Sequence, residues 1–345
     1  MTQHRYEQLI VHRGQLNHSW EQQLANDYDI SDLDHEEIRR TIKEGVDQNR
    51  ISVEVLNYDI EHILIKLKLL RNGHLINAAV VLYANDVEPN YSRCMIRMAR
   101  FRGTDKLGDF IDNQRVYGNA FQLIRAALDF AQRHLPIASY FKPDKMQRTD
   151  QPAVPGLALR EALINAISHR AYSNGATSIS MAIYDDRLEL WNVGELPQNL
   201  KIEDLKKRHD SYPRNETIAT VFYKRSWVEG WGTGTVRMVG YCQQNETPEP
   251  EFEEYSGGFA VVFRFKEPMH TSEQMINIPL KLTTRQNEII NILEKTSPLT
   301  ANEISQQLSN PPALRTLRDD LANLKKAGKI HSEGHARTAR WFIVV

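Results

Sequence analysis

The sequence predicts an α+β protein in which helices cover a mixed β-sheet, followed by a small separate unit at the C-terminal end. Three observations support this prediction. A helix with one apolar and one polar stripe spans residues 157–172, strand patterns follow it up to residue 265, and residues 281–345 combine three helical patterns with a final hairpin pattern. Helical and strand patterns in this order indicate helices packed on a sheet.

Composition limits the function classes. The chain has 345 residues, of which 41% are hydrophobic and 25% charged, as is ordinary for a globular protein. At about 100–200 residues per domain, this length predicts two or three domains. The net charge is −1, so any contact with nucleic acid must come from a local basic patch.

The cysteines and the apolar segments indicate the compartment. Cys94 and Cys242 are far apart and form no C-x-x-C pair, which predicts neither a disulfide framework nor a zinc site and fits a reducing compartment. The first residues contain no apolar core of a signal peptide, and no apolar run approaches the length of a membrane span. We therefore expect a cytoplasmic protein without membrane contact.

The chain divides into four predicted regions. These are a polar helical N-terminal segment (1–50), an α/β middle region (51–145), a further domain (156–266) and a C-terminal unit (281–345). Apolar periodicity in the middle region predicts, in order, helix Asp59–Leu70, strand Ala78–Tyr83, strand Cys94–Phe101 and helix Asn119–His134.

The helix over residues 157–172 carries the first chemical signal. At about 100° per residue, its apolar residues fall on one stripe, and the polar residues Glu161, Asn165, Ser168 and His169 fall on the opposite stripe. A carboxylate one turn from an amide suits nucleotide hydrolysis, because the carboxylate can accept a proton from water and the amide oxygen can bind Mg²⁺. An isolated E-x-x-x-N is more often a solvated helix face, so this signal needs support from elsewhere.

Two further motifs follow. Strands over Thr177–Ile183 and Arg187–Trp191 lead into Asn192-Val193-Gly194, where a polar side chain could bond an adenine edge; a plain strand-end turn is the alternative. Later, alternate glycines in the segment VEGWGTGTVRM (228–238) precede a helical pattern and could approach a phosphate, or form a flexible loop. No G-x-x-x-x-G-K-[ST] occurs, so the chain has no Walker P-loop and a helicase is rejected.

These motifs, followed by Gly257-Gly258 before a strand, resemble in their order the GHKL (Bergerat-fold) ATPases. The resemblance is closest to bacterial ATP-binding proteins labelled transcriptional regulators or RecG-like, which usually follow a Schlafen-type AlbA-like DNA-binding domain. It rests on REALINAISHRAY (160–172), LELWNVGELP (188–197), SYPRNETIA (211–219) and VEGWGTGTVRM, and extends upstream to LKLLRNGHLINAAVVLYA (67–84) and ARFRGTDK (99–106).

The resemblance implies ATP and Mg²⁺ as cofactors and a role for each matched residue. Glu161 would be the general base and Asn165 the Mg²⁺ ligand. Asn192 and Gly194 would lie at the adenine, and the residues at the phosphates would be Gly230, Gly232, Thr233, Gly234 and Thr235.

Two departures from the family qualify this expectation. GHKL proteins typically place Asp where this chain has Asn192, whose carbonyl oxygen can still accept from the adenine amino group. The AlbA-like domain is not recognisable, which implies either its loss or a chain that is a fragment.

The C-terminal unit resembles a winged helix-turn-helix. Helices are predicted over Arg285–Lys295, Thr300–Leu308 and Pro311–Ala327. Thr300 and Glu303 form a capping box at the start of the second helix. The third helix has a buried stripe of Leu314, Leu317, Leu321 and Leu324, is closed by Gly328 and is followed by a hairpin. Residues 281–345 hold ten Lys and Arg but six Asp and Glu, an excess of +4. Such an excess suits double-stranded DNA, and the candidate contacts are Arg315, Thr316, Arg318, Lys325, Lys326, Arg337 and Arg340.

Two functions follow. The first is an ATP-binding, slowly hydrolysing regulator whose nucleotide state controls the DNA-binding winged helix. The resemblance implies that this protein is a homo-oligomer. The alternative is a non-hydrolysing nucleotide-binding module that acts through protein partners, for example in a defence or toxin–antitoxin system. A winged helix that mediates protein contacts would fit the alternative.

Overall fold

The computed structural model describes residues 19–88, 90–141, 148–174, 177–197, 200–229, 232–267, 269, 282–326, 329–333 and 339–343. The chain separates into two compact units, residues 1–269 and 270–345. Each has its own core of buried apolar side chains.

The first unit contains helices and strands in alternation. Its helices are α1 (His35–Asp47), α2 (Ile60–Lys66), α3 (Asn77–Tyr83), α4 (Ala120–His134), α5 (Gly156–His169), α6 (Glu216–Lys224) and α7 (Gly234–Gln244). Its strands are β1 (Leu70–Arg71), β2 (His74–Leu75), β3 (Met95–Phe101), β4 (Phe110–Tyr117), β5 (Ile137–Phe141), β6 (Arg148–Pro152), β7 (Ile179–Ile183), β8 (Arg187–Val193), β9 (Glu251–Tyr255) and β10 (Gly258–Arg264).

A six-stranded sheet organises this unit in the order β4-β3-β7-β8-β10-β9. Strands β3 and β7 pair in parallel and the other neighbours are antiparallel, so the sheet is mixed, as the sequence predicts. Strands β3 and β4 come from the predicted middle region (51–145), and the sheet therefore joins that region to residues 156–266 in one unit.

Helix α5 packs its predicted apolar stripe into the core. Leu159, Leu163 and Ile167 are almost fully buried, and α5 contacts α4, α7 and β8. Burial of such a side chain stabilises a fold by about 1.5–3 kcal/mol. The stripe fixes the rotation of the helix, and this rotation determines where its polar side chains lie.

Two predictions in the middle region are wrong. Residues 78–83, predicted as a strand, lie in helix α3, whose seven residues are all buried. A helix buried on all sides has no polar face, so its apolar run is indistinguishable from that of a buried strand. The helix predicted over Asp59–Leu70 ends at Lys66, because Lys68 takes a left-handed conformation (φ 62°) and Leu70 starts a short hairpin.

The described part of the second unit contains three helices and a small sheet. Its elements are α8 (Thr284–Lys295), β11 (Leu299–Thr300), α9 (Ala301–Gln307), α10 (Leu314–Lys326), β12 (Ile330–Glu333) and β13 (Arg340–Ile343). The antiparallel sheet has the order β11-β13-β12. The predicted capping box is confirmed, since Thr300 and Glu303 exchange hydrogen bonds at the start of α9.

The predicted leucine stripe is correct for three of its four members. Leu317, Leu321 and Leu324 are fully buried, whereas Leu314 at the start of α10 is 43% exposed. Gly328 and residues 334–338 lie outside the described residues. Within the described parts of both units, no helix is long and apolar enough to cross a membrane.

Candidate functional site

Two adjoining cavities border helix α5. One, called here the apolar cavity, is lined among others by Leu190, Leu196, Met238, Phe259 and Val261. The other, called the polar cavity, is lined among others by Glu161, Ser168, Glu216, Thr220 and Glu229. The two cavities share the residues Asn165, His169, Ser211, Tyr212, Gly232 and Gly234.

The glycine-rich turn before α7 approaches α5 closely. A Cβ built on Gly234 would lie 2.5 Å from Oε1 of Glu161 and 3.2 Å from Nδ2 of Asn165. Gly232 has a φ of +66°, and a Cβ there would collide with the carbonyl oxygen of His209. At Gly232 only glycine allows the backbone to pass, and at Gly234 any side chain would displace Glu161 and Asn165. The turn therefore lies beside both polar side chains of α5.

Thr233 and Thr235 flank Gly234 at the start of α7. Thr233 is the N-cap residue of the helix, although its side chain makes no capping hydrogen bond. Thr235 is buried, and its hydroxyl group lies 3.0 Å from Nε2 of His209. The start of α7 thus brings a helix N-terminus, whose first N–H groups have no partner within the helix, to the two cavities.

Glu161 has the electrostatic properties of a proton acceptor. Its side chain is only 4% exposed, and burial raises its pKa to about 7. Arg237 and Arg160 oppose this rise, and the charge of Glu229 adds to it. No hydrogen bond or ion pair joins Glu161 to another residue in the described part of the chain, so its carboxyl group can act on a molecule in the polar cavity.

Asn192 and Gly194 line the apolar cavity. Asn192 is 4% exposed, lies opposite Phe259 on β10, and donates from Nδ2 to the carbonyl oxygen of Val193 at 3.3 Å. Gly194 has a φ of +131°, and a Cβ there would lie 2.8 Å from the carbonyl oxygen of His169. A polar edge within apolar walls suits a flat heteroaromatic ring.

The segment between β8 and α6 carries residues without a predicted role. Arg214 donates to the carbonyl oxygens of His169 (3.2 Å) and Glu195 (3.1 Å), and the buried Asn215 donates to those of Ser168 and Arg170.

Burial, with the charges of Arg214 and His209, lowers the pKa of His169 to about 4, so this imidazole is neutral near pH 7. Its polar-stripe position was the one sequence signal that could have singled out His169.

Most of the predicted nucleotide-site residues line the two cavities, and these are Glu161, Asn165, Asn192, Gly194, Gly232, Gly234 and Thr235. Thr233 lies between Gly232 and Gly234 in the chain. Gly230 lies outside the described residues.

The predicted DNA contacts lie in the second unit. Arg315, Thr316, Arg318 and Lys325 are exposed on α10, and Arg340 is exposed on β13. Arg337 and the side chain of Lys326 lie outside the described part of the chain. Asp320 of α10 is buried and accepts hydrogen bonds from Arg285 and Gln286.

Comparison with known families supports a nucleotide site. Residues 176–263 match a family described as "Putative ATP-dependent DNA helicase recG C-terminal". The matched segment includes Asn192, Gly194 and the glycine-rich turn, while Glu161 and Asn165 precede it. The match supports a GHKL-like ATPase domain and ATP binding in this part of the chain. No curated protein matches the sequence significantly.

The fold also has a counterpart among solved structures. The chain is similar to the DIP2311 protein from Corynebacterium diphtheriae, with a TM-score of 0.58 and 16% sequence identity. The similarity covers 94% of this chain and 64% of that protein, so this chain spans less than two thirds of its length. At this identity, the likeness shows a shared fold alone.

Proposed function

We propose that the protein is an ATP-binding regulator that hydrolyses ATP slowly and whose nucleotide state controls DNA binding by its C-terminal unit. The observation that carries the proposal is that Glu161, Asn165, Gly232 and Gly234 border one cavity, next to an apolar cavity whose lining includes Asn192. In this arrangement the adenine ring would occupy the apolar cavity, and the phosphates would occupy the polar cavity.

The donor set fits Mg²⁺. In the described part of the chain, no three or more His, Cys, Asp or Glu side chains form a metal cluster. Mg²⁺ commonly keeps several waters and takes other ligands from substrate phosphates, and Asn165 would add one amide oxygen to these ligands. When bound, Mg²⁺ would neutralise phosphate charge and polarise the terminal phosphoryl group.

Glu161 would carry the hydrolytic step. Its carboxylate accepts a proton from a water molecule as that water attacks the terminal phosphorus atom, and the bond from phosphorus to the bridging oxygen breaks to release ADP. A pKa of about 7 is well suited to this role, because the group is part ionised and still basic at neutral pH.

The second unit would supply DNA binding as a winged helix. Three helices followed by a β-hairpin, with exposed Arg315, Arg318 and Lys325 on the last helix, support this role. Because winged helices of regulators often bind paired half-sites, the proposal includes a homo-oligomer. Control by ATP requires that ATP bind two conformations of the protein unequally.

A calorimetric titration of the full chain with ATP, with and without Mg²⁺, tests the proposal. We expect ATP to bind, and the Asn165→Ala variant to lose affinity only when Mg²⁺ is present. We expect Glu161→Gln to retain ATP binding and lose turnover. A wild-type chain that binds no ATP contradicts the proposal, and equal turnover in wild type and Glu161→Gln favours the non-hydrolysing module that acts through protein partners.

A further inference from the structure

We infer that Arg50, in the N-terminal part of the chain, is a positioning residue that holds the phosphate-binding side of the candidate site in place. The inference rests on the proposed function and assigns a role to a residue that belongs to none of the sequence motifs. Arg50 lines neither of the two cavities, and it acts through residues that line the polar cavity.

The contacts of Arg50 converge on that cavity. Its Nη1 donates to the carbonyl oxygens of Tyr223 (2.6 Å) and Val228 (2.9 Å), and its Nη2 donates to Oε2 of Glu229 (2.8 Å). The guanidinium group also lies over the ring of Tyr223, 4.2 Å from its centroid. Tyr223, Val228 and Glu229 all line the polar cavity.

These contacts join both ends of one loop. Tyr223 lies in the last turn of α6, and Val228 and Glu229 directly precede the glycine-rich turn that leads into α7. A single guanidinium group therefore connects the end of one helix to the start of the turn. Because its side chain is only 17% exposed and its bonds are charge-assisted, Arg50 restricts this loop more than a surface ion pair would.

Arg50 follows the end of helix α1, which packs against the end of α6 and so places Arg50 beside the loop. A Cβ built on Gly45 would lie 2.9 Å from the carbonyl oxygen of Lys224, so α1 approaches the end of α6 at a glycine. Glu44 accepts hydrogen bonds from Arg225 (2.7 and 2.8 Å) and from Nε1 of Trp227 (3.0 Å). Burial tends to raise the pKa of Glu44, but Arg225 outweighs it and holds that pKa below its ordinary value.

The charge of Arg50 matters because three carboxylates, those of Glu161, Glu216 and Glu229, line the polar cavity. Glu229 raises the pKa of Glu161 through its charge, and it lies 3.6 Å from Arg237. A triphosphate would add further negative charge to the same cavity. Arg50 binds the carboxylate of Glu229 directly, so its removal would leave that carboxylate less compensated and free to face the phosphates.

The test compares two ligands on the full chain by calorimetry. With Arg50→Ala we expect MgATP to bind about tenfold more weakly, the loss expected when hydrogen bonds to a charged group are removed. Adenosine, which lacks phosphates, should bind as it does to the wild type. Arg50→Lys should recover only part of the loss, since an ammonium group cannot hold the fork of bonds to two carbonyls and a carboxylate.

Arg39→Ala provides the matched control. Arg39 lies on α1, is exposed and makes no hydrogen bond or ion pair in the described part of the chain, so this variant should bind both ligands like the wild type. Hydrogen exchange without nucleotide adds an independent measurement, because Arg50→Ala should speed exchange in residues 223–234 but not in α4.

The outcomes separate the inference from the proposed function. Unchanged MgATP affinity in Arg50→Ala, or an equal loss for MgATP and adenosine, overturns the inference while the proposed function stands. A wild-type chain that binds neither ligand overturns the proposed function, and this role for Arg50 with it.

Discussion

Glu161 is held in an environment that destabilises its ionised form. Burial raises its pKa from 4.5 to about 7. Between these two pH values the unfolded chain releases a proton that the folded chain retains, so this group makes the free energy of unfolding fall as pH rises. The penalty is complete above about pH 7, where it reaches at most about 3 kcal/mol.

We therefore expect the Glu161→Gln variant to gain stability over the wild type as pH rises. The difference in free energy of unfolding should shift in favour of the variant by about 1–3 kcal/mol between about pH 5 and pH 8. Urea denaturation followed by tryptophan fluorescence at both pH values measures it. Replacing the carboxyl group by an amide can also change stability by an amount that does not depend on pH. The prediction is therefore contradicted only if variant and wild type differ in their free energy of unfolding by the same amount at both pH values.

At the residue scale, sequence identifies partners on one element and misses partners from distant elements. Glu161 and Asn165 were predictable because a single helix of known periodicity places them one turn apart. Arg50 contacts Tyr223 and Val228 across more than 170 residues. No local pattern encodes such a contact, since it depends on how α1 packs against α6.

At the element scale, helix α7 contains two glycines with opposite surroundings. A Cβ on Gly234 would enter the space between Glu161 and Asn165, whereas a Cβ on Gly240 would meet no atom within 4 Å. Ala favours a helix over Gly by up to about 1 kcal/mol at an interior position, so propensity alone would make both substitutions favourable. The difference in MgATP affinity between the two variants therefore measures the effect of filling the space beside Glu161 and Asn165.

We expect Gly234→Ala to weaken MgATP binding by at least about tenfold, because overpacking a tight site costs about 1–3 kcal/mol. Gly240→Ala should bind MgATP like the wild type and unfold with a free energy higher by about 0.5–1 kcal/mol. Calorimetry and urea denaturation of both variants check this. Equal MgATP affinity in the two variants would show that Gly234 does not border the ligand.

The elements themselves were predictable where they are amphipathic or capped. Helix α4 and strands β7 and β8 begin and end within two residues of their predicted positions, because one face of each element is apolar or its ends carry turn residues. Helix α5 begins at Gly156, one residue before its predicted start, and ends at His169, three residues before its predicted end. Helix α3 was missed because burial on all sides removes that contrast. Strand β4, at the edge of the sheet and largely exposed, was not predicted because its sequence FIDNQRVY does not alternate apolar and polar residues.

At the scale of the whole molecule, the two units have separate cores, and the candidate nucleotide site lies entirely within the first. The proposed DNA contacts lie entirely within the second. Control of one by the other therefore requires a change in the protein that both ligands sense. Such a coupling is a free energy shared by two equilibria, and it must act in both directions.

This reciprocity gives a quantitative prediction. Suppose that MgATP changes the dissociation constant for a mixed-sequence duplex of about 30 base pairs by some factor. The duplex must then change the dissociation constant for MgATP by the same factor. For coupled sites this factor is typically about 5–150. Fluorescence anisotropy measures the first factor and calorimetry the second, at one fixed salt concentration because DNA affinity depends steeply on salt.

Exchanging Arg315 and Arg318 for Ala should weaken duplex binding and leave MgATP affinity without DNA unchanged. Tight binding of both ligands with a factor of one in each direction would leave two independent sites on one chain, and ATP would then have to act on something other than DNA binding.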